Sequence, residues 1–169
     1  MPMNPKSTAA IGGHPIHPML VVFPIAFLLA TLVTDFIYIN TQEPGWAIAS
    51  MWLVATGVIT ALAAALAGFA DFFGDSRVRA IRDAWRHMIG NLIAVTLAAI
   101  SWGLRVTEGP AEAVLPWGLT LSVLIAGILA YTGWKGGELA YRHRVGVRNE
   151  VPETPIPATR ERERTRERT

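Results

Sequence analysis

The chain has 169 residues, 51% of them apolar, with a formal net charge of +2 and a positive mean hydropathy; that length is one domain's worth. It contains no cysteine, which excludes disulfides, thiolate metal sites, iron–sulfur clusters and a cysteine nucleophile. The apolar residues come in long blocks rather than interleaved with polar ones at helical spacing, so the solvent they imply is lipid.

Residues 1–18 are polar or turn-forming and end in Gly13-His14-Pro15-Ile16-His17-Pro18. Each proline removes a backbone donor and biases the residue before it toward extended conformations, so this stretch is expected to stay out of helix as a stiff lip. Pro18 then serves as the first helical residue. A first span is expected at 19–39, since about 20 apolar residues cross a hydrocarbon core. Pro24 should leave the Leu20 carbonyl without a helical partner and kink this span near the lip. Asp35 near its far end either faces water, caps a neighbour or is a true intramembrane acid.

Residues 40–45 form a turn by composition, and a second span follows at 46–73. Ala61/Ala65 and Ala64/Gly68 repeat there at four-residue spacing, which lets helix backbones approach closely. Residues 76–86 carry Arg77, Arg79, Arg82 and Arg86 and read as a solvated basic connection. The third span is expected at 85–106, with His87 and Asn91 one turn apart on one face. After a turn at 107–110 the fourth span runs over 114–134, where Gly118, Ser122, Ala126 and Ala130 form a ridge of small residues. Residues 148–169 are rich in Pro, Arg and Glu and read as a disordered tail. Glu161, Glu163 and Glu167 alternate with its arginines and cancel most of their field, so no nucleic-acid partner is expected.

The fold class expected is therefore all-α: an integral membrane four-helix transmembrane bundle, residues 19–147, behind the N-terminal segment 1–18. Four spans place every Lys and Arg of the 15 except Arg105 on one side, and the positive-inside bias makes that side, with both termini, cytoplasmic. Trp46, Trp85, Trp102, Trp117 and Trp134 fall near span ends, where an interfacial aromatic belt belongs. The first span is expected to act as an uncleaved membrane signal.

This topology gathers chemistry that the linear chain keeps apart. All four histidines, with Asp71 and Glu138, land at the cytoplasmic end. His14, His17, Asp71 and His87 make a three-nitrogen, one-oxygen set suited to zinc or non-haem iron. His17 and His87 alone are candidate axial ligands to haem b, with Asn91 or Glu138 orienting an imidazole from behind. The competing reading is that these groups only lock helix ends together, for roughly 0.6 to 2 kcal/mol each. A third reading, a small-solute or proton pathway, needs Asp35 to face the interior. No serine elbow or phosphate-binding glycine loop is present, so no catalytic residue is assigned.

The lip with Pro24, Gly68-x-x-Asp71, His87-x-x-x-Asn91 and the segment Gly136-Gly137-Glu138-Leu139-Ala140-Tyr141-Arg142-His143 resemble the DUF2231 family of predicted bacterial membrane proteins, over about residues 12–147. The resemblance implies a four-span fold in the bacterial inner (plasma) membrane and no defined activity. Relatives fused to redox domains lean the expectation toward electron transfer, with a redox partner or a second copy of the chain as associate. One departure is Arg144, where the pattern leads us to expect glycine.

Overall fold

The two glycines at the lip set how the chain enters. Gly12 and Gly13 have φ of 57° and 80°, the left-handed backbone that a two-residue hairpin turn requires. They join β1 (Ala10–Ile11) antiparallel to β2 (His14–Pro15). This computed structural model describes residues 4–147, and the tail expected at 148–169 lies outside the described residues.

Helix α1 (Ile16–Leu20) starts directly after Pro15, so His17 and Pro18 lie inside its first turn. The helix therefore starts two residues before Pro18, the first helical residue expected, for a simple reason. The first four N–H groups of a helix have no partner within it, so Pro18 forfeits nothing in that turn. A break at Val21 separates α1 from α2 (Val22–Thr41), one turn before Pro24, whose missing N–H interrupts the ladder.

Pro44 opens α3 (Pro44–Gly74) at the first helical position, where a proline is favoured. Its 31 residues make it longer than the roughly 30 Å hydrocarbon core at about 1.5 Å per residue. The Asp75 side chain accepts from the Arg77 N–H to cap the short α4 (Ser76–Arg79), and α5 (Arg82–Thr107) follows. The chain then turns through Val114–Gly118, where Leu115 is extended and the Leu115-Pro116 bond is cis. Helix α6 (Leu119–Gly137) runs on into a wider final turn, Glu138–Arg142. Together these give four helical stretches long and apolar enough to cross a membrane.

Helix α2 packs against α3 and α6, and α5 packs against the same two. Between them lies a core of Leu28, Val54, Val58, Ala98 and Ile125. The α2–α3 approach is close: a Cβ at Gly57 would fall 2.7 Å from Leu28 Cδ2. Large apolar side chains such as Val33, Ile59, Leu62, Leu66, Ile100 and Leu124 point outward, while serines, threonines and alanines fill the interior, an arrangement suited to a lipid surround. Trp46, Trp85, Trp117 and Trp134 are exposed. Trp102 is partly buried against the core.

Candidate functional site: paired imidazoles and a buried ion pair

His17 and His87 come from different helices and meet with ring centroids 6.0 Å apart and ring planes at 89°. His17 Nδ1 lies 2.8 Å from the Ala64 carbonyl on α3, and His87 Nδ1 lies 2.8 Å from the Thr132 carbonyl on α6. A carbonyl oxygen only accepts, so Nδ1 carries the proton in both rings and the neutral imidazole keeps its lone pair at Nε2. Two glycines make this placement possible. A Cβ at Gly68 would stand 2.9 Å from His17 Nδ1, and one at Gly136 would stand 3.1 Å from His87 Cε1.

Asn91, one turn after His87, donates from Nδ2 to the His87 carbonyl at 2.9 Å and lies 3.2 Å from His87 Nε2. Its Oδ1 accepts from the Thr132 hydroxyl at 3.0 Å. The structure thus joins His17, His87, Asn91 and Thr132 through α1, α3, α5 and α6. Thr132 was not legible beforehand, although its place four residues before Gly136 puts it on the same face of α6.

The other candidate residues go elsewhere. His14 is exposed on the hairpin. Asp71 Oδ1 accepts from Ser7 Oγ at 2.8 Å, from the Thr8 N–H at 2.7 Å and from the Ala9 N–H at 2.8 Å, and so clamps the N-terminal arm to the end of α3. Glu138 pairs with Arg142 at 3.2 Å. His143 lies 3.8 Å from Asp83 Oδ2, whose other oxygen takes Lys135 at 3.0 Å. Among the described residues, no group of three or more His, Asp or Glu side chains gathers as a metal would require.

The opposite end holds a second polar centre. Asp35 faces the interior at 0% exposure, as does Arg105, and Arg105 Nη2 donates to Asp35 Oδ2 at 2.8 Å. Ser122 Oγ donates to the same oxygen at 2.7 Å, and Ser50 Oγ donates to Oδ1. Arg105 Nε reaches Ser101 Oγ at 3.5 Å. One carboxylate on α2 thereby touches α3, α5 and α6. Ser50 and Ser101 were not singled out in the sequence, where Ser122 counted only as one small residue of a packing ridge and Arg105 only as the one basic residue of the far side. The signal was available: an intramembrane acid calls for an intramembrane partner, and Arg105 is the sole cation at that depth.

Four membrane-length helices with an ion pair buried between them define a multi-pass integral membrane protein. Residues 13–149 match the family model described as "Predicted membrane protein (DUF2231)", and the chain belongs to that family. No curated protein and no solved structure matches it.

Proposed function

We propose that the chain is a four-helix bundle of the bacterial inner membrane, with both termini cytoplasmic, in which His17 and His87 bind haem b for one-electron transfer. The observation that carries this reading is the imidazole pair. The two rings, from different helices, stand 6.0 Å apart with their planes at 89°, and each would offer a haem iron its unprotonated Nε2. Both Nδ1 atoms are engaged by backbone carbonyls, which is how ligating imidazoles are commonly oriented.

The donor set supports haem over a protein-ligated metal. Zinc or non-haem iron asks the protein for three or four ligands, whereas haem brings its own four nitrogens and needs only two. A site on all of His14, His17, Asp71 and His87 would require Asp71 to release the three donors it accepts from the arm. Binding at His87 Nε2 asks less: the Asn91 amide leaves that nitrogen and keeps the His87 carbonyl. The electron would pass to a redox partner at the basic end.

The test is an untagged preparation in mild detergent, expressed with haem precursor and examined by visible absorption and elemental mass spectrometry. A Soret band is expected, lost in both His17→Ala and His87→Ala. A colourless protein without stoichiometric iron overturns the reading. It would favour the second one, in which the satisfied His87–Asn91–Thr132 network only locks helices and the same substitutions lower the melting temperature alone. A pathway through Asp35 draws support from its inward position, and an Asp35→Asn variant with unchanged liposome flux would count against it.

A further inference from the structure

Among the described residues, Arg105 Nη1 is the buried side-chain nitrogen or oxygen that makes no hydrogen bond. A guanidinium presents five N–H groups in a rigid fork. Nη2 serves Asp35 at 2.8 Å and Nε reaches Ser101 at 3.5 Å, which leaves the Nη1 pair of hydrogens open at 0% exposure. The guanidinium is closely packed on its other side, where a Cβ at Gly118 would meet the Ala113 carbonyl first and would fall 2.9 Å from Arg105 Nη2. Buried donors in folded proteins find a partner, in the protein or outside it.

The surroundings define what that partner is. The open group only donates, so the partner supplies an acceptor oxygen. Asp35 already balances the charge of Arg105, and the remaining members, Ser50, Ser101 and Ser122, are neutral. An added anion would therefore sit in a low-dielectric interior with no counter-charge, and a cation would face a donor. We propose that Arg105 Nη1 is the donor of a binding site for one uncharged oxygen acceptor, water or the ester carbonyl of a lipid, at the end opposite the histidines. The site is independent of the haem reading, since it shares no residue with the imidazole pair.

The experiment is nuclear magnetic resonance on the full chain, labelled with 15N-arginine, in nanodiscs of diester lipid and of the matching diether lipid. A Ser101→Ala variant shifts the Arg105 Nε signal without touching the ion pair, and so assigns it. A cross-peak from the Arg105 Nη1 hydrogens to water, equal in both lipids, identifies water as the acceptor. An Nη1 shift that moves between diester and diether discs identifies the lipid carbonyl. Nη1 hydrogens that show neither overturn the proposal, and so does a saturable shift on titrating chloride.

Discussion

Gly68 and Gly136 sit against the imidazoles, so the smallest enlargement there is informative. A methyl at Gly68 meets His17 Nδ1 at 2.9 Å, and the ring must shift away from the Ala64 carbonyl. Gly68→Ala is expected to cost about 1–3 kcal/mol, as overpacking does, and to lower the haem-to-protein absorbance ratio; thermal melting and the visible spectrum read the two effects. Arg144 stands where the family pattern leads one to expect glycine, and its φ is 52°. The tight turn is made regardless, by a residue whose Cβ disfavours that backbone. Arg144→Gly should therefore raise stability by about 1 kcal/mol or less, seen as a higher melting temperature. Asp75 is held below the ordinary carboxylate range, first by the Arg77 side chain and then by the backbone N–H groups of Arg77 and Lys6. A depressed carboxyl stabilises above its unfolded value of about 3.9 and loses that contribution as pH falls through the native one. Between pH 7 and 2 the wild type should lose slightly more melting temperature than Asp75→Asn, only slightly because the pair is solvated.

Among the elements, α2 and α5, which both pack on α3 and α6, are linked across the bundle by Asp35 and Arg105. Removing one partner strands the other charge among Ser50, Ser101 and Ser122, so Asp35→Leu or Arg105→Leu alone is expected to cost about 3–5 kcal/mol. The double variant should cost clearly less than the sum of the two, because no charge remains unpaired. Denaturant unfolding in detergent over the four-variant cycle measures this, and simple additivity would mean that the pair is not coupled. The hydroxyls matter in the same sense: each of α3 and α6 reaches the carboxylate through one serine, so the ion pair ties all four long helices at that end while the imidazole cluster ties α1, α3, α5 and α6 at the other.

For the whole molecule, burying Arg105 removes the one exception to the charge bias, since that guanidinium lies inside at 0% exposure rather than in a loop. The remaining described cations sit at the histidine end or in its connections, which strengthens the positive-inside argument. Reporter fusions check the orientation proposed from it. Alkaline phosphatase is expected to be active when fused at the Gly109 turn and inactive at the C-terminus, with a fluorescent protein giving the reverse; the opposite pattern would invert the topology.

Four membrane-length helices, the proline-induced break near Pro24 and the family membership were legible in the residues alone, because hydropathy, proline chemistry and motif spacing are local properties of a chain. Local properties also put His17, His87 and Asn91 at one end of the spans. They said nothing of how each helix is rotated about its axis, and rotation decides which polar groups meet. Tertiary packing turned Asp71 toward the N-terminal arm instead of the imidazoles, left His14 on the surface, and brought Asp35 onto Arg105 across 70 residues of sequence. In lipid the outside of a helix is as apolar as its core, so the hydrophobic pattern that orients a soluble helix is weak, and the few buried polar contacts set the arrangement instead.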